Sequence, residues 1–127
     1  MSRVALVVDD SMLIRHTVCR FLEERGFTVE SATNGVQALE LMSDLAPDII
    51  ITDMQMPKMD GTELISRLKE KPETANIPIV ILAGKATGAD SAHEARADYI
   101  IFKDIDIETQ LQKALVSALG DPAVAGF

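Results

Sequence analysis

Cysteine is nearly missing from this chain. Cys19 stands alone, which excludes an internal disulfide framework and a metal site built on clustered thiolates. Positive charge is scarce as well: 12 Lys and Arg face 20 Asp and Glu, for a formal net charge of −8. A field of that sign repels a polyanion, so nucleic acid is not expected as a direct partner. No apolar run approaches the length of a membrane span, so no membrane partner is expected either. The start, Met1-Ser2-Arg3 and then Val4 to Val8 before Asp9-Asp10, is too short for a signal peptide, and the cytoplasm is the expected location. Internal repeats, low-complexity tracts and interdomain linkers are also absent. With 127 residues, 47% hydrophobic and 25% charged, the chain has the size and make-up of one soluble domain with a real core.

What is present is a succession of short apolar runs separated by helical patterns. Val4-Ala5-Leu6-Val7-Val8 reads as a strand buried on both faces, because successive rather than alternate positions are apolar. It stops at Asp9-Asp10-Ser11. Ile14, Thr17, Val18, Phe21 and Leu22 then recur at helical spacing, with Asp10 or Ser11 as N-cap and Gly26 as the stop. On that helix Ser11 and Arg15 read as cap and helix surface, His16 as exposed and Cys19 as a packed thiol. Phe27 to Ala32 is a second strand. Asn34-Gly35 signals a turn, and Val36, Ala38, Leu39 and Met42 form the inner face of a helix that Pro47 ends.

The third strand, Asp48 to Thr52, leads into Asp53 and a loop punctuated by Pro57 and Gly61. Asp60 and Glu63 predict a capping box for the next helix, whose inner face is Leu64, Ile65 and Leu68 and which ends at Lys71-Pro72. Ile77 to Leu82 is a fourth strand, Asp90 to Ala97 a short helix, and Tyr99 to Phe102 a fifth strand ending at Lys103. Ile107, Leu111, Ala114, Leu115 and Ala118 mark a last helix closed by Gly120. The expected domain is 1–120, with a short tail over 121–127.

Crossovers of about two dozen residues between buried strands require parallel pairing, right-handed connections and helices on both faces. The expected fold is therefore α/β: a doubly wound (βα)5 three-layer sandwich on a five-stranded parallel sheet of order 2-1-3-4-5, of flavodoxin-like type. That order sets the first and third strands side by side. Asp9, Asp10 and Asp53 then converge at the carboxyl ends of neighbouring strands, where such sheets bind ligands. Lys103 is the cation the topology brings to the same edge.

Crowded carboxylates repel: at an effective dielectric near 20, a pair about 4 Å apart costs roughly 4 kcal/mol. They take up protons or gather a cation. An all-oxygen set without His or Cys suits a hard ion such as Mg²⁺. An aspartate beside Mg²⁺ and an ammonium has the makings of a nucleophile toward a phosphoryl group.

Asp9-Asp10-Ser11, the segment Asp53-Met54-Gln55-Met56-Pro57-Lys58-Met59-Asp60-Gly61, and Lys103 together resemble the receiver domain of two-component response regulators, most of all its stand-alone, chemotaxis-regulator-like type. The resemblance runs from residue 3 to about residue 119. It implies that Asp53 is the phosphoacceptor and that Lys103 pairs with the phosphoryl group. It also implies that Mg²⁺ is held by Asp10, Asp53 and the backbone carbonyl of Gln55, with Asp9 helping through water. A histidine kinase or phosphotransfer protein is the implied phosphodonor partner. With no effector domain in the sequence, output is expected through an unknown protein partner. The methionines near Asp53 read as packing.

Three positions depart from the family pattern. Ala83 stands where the family usually has Ser or Thr, whose hydroxyl bonds the phosphoryl group. Ile100 stands where a switch aromatic is usual, and Tyr99 is one residue earlier on the opposite strand face. Asp104 follows Lys103 where the family commonly has a cis proline, so a trans bond is expected. These departures motivate an alternative reading, a pseudo-receiver that binds its partner without phosphorylation. A Mg²⁺-dependent phosphatase is a weaker reading, because Gln55, two residues after Asp53, cannot transfer protons as an acid–base aspartate does.

Overall fold

A computed structural model describes residues 3–54, 58–59, 61–84, 98–103 and 106–120. The strands are β1 (Val4–Val8), β2 (Thr28–Ala32), β3 (Ile49–Asp53), β4 (Ile79–Ala83) and β5 (Tyr99–Phe102). The helices are α1 (Met12–Glu23), α2 (Gly35–Met42), α3 (Gly61–Lys69), the single turn α4 (Pro72–Ala75) and α5 (Ile107–Leu119). All strand pairs are parallel and the order is β2-β1-β3-β4-β5, as the sequence predicts.

Successive strand residues alternate between the two faces of the sheet. Ala5, Val7, Ile49, Ile51, Val80, Leu82 and Ile101 pack against Val18, Phe21 and Leu22 of α1 and Leu111 and Leu115 of α5. Leu6, Val8, Ile50, Ile79 and Ile81 pack on the other face against Ala38 of α2 and Leu64, Ile65 and Leu68 of α3. Two such clusters explain why the central strands are buried on both faces, whereas the edge strand β2 is exposed at three of its five positions. Cys19 packs against the first cluster.

Side chains complete the backbone pairing where strands begin. Asp48, just before β3, accepts from the Val4 amide at 2.8 Å, and Asp98, just before β5, accepts from the Ile79 amide at 2.8 Å. Each acid satisfies the first amide of the neighbouring strand.

One local reading changes. α4 was not expected: Lys71-Pro72 reads as the end of a helix, but Pro72 occupies its first turn, where a missing amide costs nothing. Thr74 Oγ1 donates to the Leu68 carbonyl and Lys69 Nζ to the Ala75 carbonyl at 3.0 Å, so this turn folds back on the end of α3. Of the two cap candidates the sequence offers for α1, Ser11 takes the role, as read, its hydroxyl accepting from the Ile14 amide. The predicted helix Asp90 to Ala97, the Asp60 cap and the tail 121–127 lie outside the described residues. Among the described residues no helix is long and apolar enough to cross a membrane.

Candidate functional site

The register of the sheet assembles the acidic edge. Val8 pairs with Thr52, so the next residues, Asp9 and Asp53, leave adjacent strands side by side. Ala83 pairs with Phe102 and accepts from the Lys103 amide at 2.8 Å, so Lys103 emerges at the same end. Carboxylate oxygens of Asp9, Asp10 and Asp53 lie within 4.8 Å of one another.

Asp9 is fully buried and Asp10 exposed, so the pair divides into an inner and an outer acid. The amide, carbonyl and Oδ1 of Asp9 are hydrogen-bonded, and its Oδ2 is held by an ion pair alone. Its amide donates to the Ala32 carbonyl at 3.1 Å, and its Oδ1 accepts from the Ser11 amide at 2.8 Å. Its Oδ2 faces the Lys103 ammonium at 2.9 Å, and its carbonyl accepts from the Arg15 guanidinium at 2.9 Å. Asp53 is 6% exposed. Its Oδ1 accepts from the Met54 amide at 2.8 Å and lies 3.1 Å from Lys103 Nζ.

Lys103 thus bridges both buried acids. Burial pushes the Asp53 carboxyl above its ordinary value and the charge of Asp9 pushes it further, against the opposing pull of Lys103 and the Met54 amide. For Lys103, burial works against the charge. The hydrogen bonds and charges of Asp9 and Asp53 outweigh it and hold the ammonium above its ordinary value.

Three carboxylates and one ammonium leave an excess of two negative charges at a mostly buried edge. The donors are all oxygen, and Asp10 adds an exposed carboxylate. A divalent hard cation fits that set in charge and in ligand chemistry, and Mg²⁺ needs few protein ligands because it keeps its waters.

Glycines shape the floor of the site. A Cβ on Gly61 would overlap the Asp53 carbonyl oxygen and lie 2.9 Å from Met54 Cα, so only glycine lets α3 start against the end of β3. The Gly61 amide donates to the Met54 carbonyl at 2.9 Å across that contact. A Cβ on Gly35 would lie 2.8 Å from Met59 Cγ, so the start of α2 closes on the same loop. Met59 itself is buried, the packing role its sequence context suggests.

The structure brings together Asp9, Asp10, Asp53 and Lys103. Ala83 is buried at the end of β4 and offers no hydroxyl. Ile100 packs on the α2/α3 face and Tyr99 on the α1/α5 face, with unbroken register and no bulge between them. Gln55 and Asp104 lie outside the described residues. Arg15 is the correction here: read as helix surface, it reaches back to the carbonyl of the peptide joining Asp9 to Asp10. Its only sequence signal was a position one turn beyond the Ser11 cap.

Residues 5–115 match the model of the response regulator receiver domain family. The chain belongs to that family. This receiver domain is 37% identical over 110 residues to a gliding motility regulatory protein of Myxococcus xanthus, an alignment covering 84% of the chain and 14% of the relative. The first curated relatives are longer proteins, and the chain spans about half of their length or less. Among solved structures, it resembles the chemotaxis response regulator CheY4 of Vibrio cholerae, with 30% identity, a TM-score of 0.83, and 93% and 99% of the two chains covered. The receiver domain of a signal transduction histidine kinase from Syntrophus aciditrophicus gives 30% identity and a TM-score of 0.84, covering 94% and 92%.

Proposed function

We propose that this receiver domain accepts a phosphoryl group on Asp53 in a Mg²⁺-dependent reaction and signals through protein partners. The observation that carries the reading is Lys103 bridging Asp9 and Asp53 beside the exposed Asp10. An Oδ of Asp53 attacks phosphorus while the bond to the leaving group breaks, P–N in a phosphohistidine or P–O in an acyl phosphate. The leaving group departs with the electron pair, and an acyl phosphate forms on Asp53. Lys103 stabilises negative charge on the phosphoryl oxygens. Asp10, Asp53 and the Gln55 carbonyl are the proposed ligands of Mg²⁺, with Asp9 acting through water; the ion when bound would supply further positive charge against those oxygens. The domain catalyses only its own phosphorylation and dephosphorylation, and its phosphodonor is a histidine kinase, a phosphotransfer protein or a small acyl phosphate. Incubation with acetyl phosphate or beryllofluoride and Mg²⁺ tests this. One adduct per chain that disappears in Asp53→Asn supports it, and an adduct that survives that substitution defeats it.

A second reading is favoured by Ala83, Ile100 and Tyr99. A buried methyl group at the end of β4 and an aromatic on the wrong face of β5 leave the usual hydroxyl–aromatic relay without its parts. Phosphorylation is then retained while its propagation is rewired, or the partner binds without it. Partner affinity with and without beryllofluoride separates the cases: an unchanged value selects the phosphorylation-independent module.

A further inference from the structure

Gln110 is a half-buried polar residue of α5, one turn after Ile107. The structure assigns it a positioning role: it holds the end of β5 so that Lys103 reaches both Asp9 and Asp53. Among the described residues β5 is an edge strand, paired with β4 alone. Neighbouring residues on a strand direct their amide and carbonyl groups to opposite sides. The Lys103 amide turns inward to the Ala83 carbonyl at 2.8 Å, so the backbone groups of Phe102 face outward, where no strand follows among the described residues. Gln110 takes that strand's place. Its Oε1 accepts from the Phe102 amide at 3.0 Å, and its Nε2 donates to the Phe102 carbonyl at 2.9 Å. A carboxamide carries the same donor and acceptor as a backbone peptide, so it extends the sheet by one residue. Nε2 also donates to the Asp106 carbonyl at 3.2 Å, which ties the end of β5 to the cap of α5.

The reason this matters is reach. Asp53 ends β3, two strands from β5, and Asp9 follows β1, one strand farther. Strands are spaced about 4.8 Å apart. The lysine must therefore stretch past the end of β4 to touch both acids, at 2.9 and 3.1 Å. A flexible stem holds such a bridge only while its root is fixed, and the root is fixed by Ala83 on one side and by Gln110, one residue earlier, on the other.

The test compares Gln110→Leu, Gln110→Glu, Lys103→Met and the Leu/Met double variant with the wild-type chain. Leu removes the paired bonds at similar size, and Glu sets an oxygen against the Phe102 carbonyl. In ¹⁵N-lysine-labelled protein without phosphodonor, the wild type is expected to show one ammonium signal protected from exchange, absent in Lys103→Met and lost in both Gln110 variants. This readout is independent of the phosphoacceptor reading. The second readout rests on that reading: phosphorylation by acetyl phosphate with Mg²⁺ is expected to slow about tenfold in Gln110→Leu, and by no further amount once Lys103 is already replaced. A wild type without the protected signal, a Gln110→Leu variant that keeps it, or equal slowing with and without Lys103 overturns the assignment. Should the Leu variant not fold, Gln110→Asn, one methylene too short, carries the same comparisons. A wild type that shows the ammonium signal but takes no phosphoryl group defeats only the phosphoacceptor reading.

Discussion

Asp53 is an acid held among acids, and its protonation bears directly on stability. Its carboxyl titrates higher in the folded chain than in the unfolded one, so the folded state holds the proton more tightly. The stability that this contributes is fully present below the ordinary value of 3.8 and is lost as pH rises through the raised folded value. In chelator, wild-type stability is therefore expected to fall relative to Asp53→Asn as pH rises from about 4 toward neutrality. Urea unfolding of the two proteins across that range checks it, and parallel curves would contradict it. Lys103 is the counterweight. Lys103→Met leaves Asp9 buried without its cation, and the expected loss is about 3 kcal/mol or somewhat less, since the lysine side chain is 19% exposed. Urea midpoints at neutral pH measure it, and a loss below about 1 kcal/mol would mean that the bridge is weak.

At the scale of elements, the site depends on close approach of helix starts to strand ends. Gly61→Ala places a methyl group against the Asp53 carbonyl, and its expected cost is about 1–3 kcal/mol. A thermal shift of several degrees, with disturbed Asp53 and Met54 amide resonances, is the expected signature. The strands and long helices were legible because buried parallel strands are apolar on both faces and helices carry an apolar stripe. The contents of the site were legible because the acids and the lysine terminate those strands. What was not legible involves groups that meet through backbone: Arg15 on the Asp9 carbonyl, Gln110 on Phe102, and Gly35 against Met59. Unlike a helix cap, a hydrogen bond to a backbone group outside the local turn leaves no residue-type pattern at a fixed spacing. α4 was missed because Pro72 ends one helix and begins the next turn with the same residue.

For the whole molecule, a cation that binds only the folded state stabilises it in proportion to its affinity, by about 2.7 kcal/mol at a hundred times Kd. Mg²⁺ is expected to raise the melting temperature of the wild type and to do so far less in Asp10→Asn, because Asp10 is the proposed exposed ligand. Ca²⁺ as a larger competitor and a chelator control complete that titration. The central claim is that the sheet edge assembled from β1, β3 and β5 receives a phosphoryl group on Asp53. Intact-mass analysis of the chain after acetyl phosphate and Mg²⁺ tests it most directly. One added phosphoryl group that is labile to hydroxylamine, absent without Mg²⁺ and absent in Asp53→Asn is the predicted result. An unmodified wild-type chain, or a modification that Asp53→Asn retains, would contradict it.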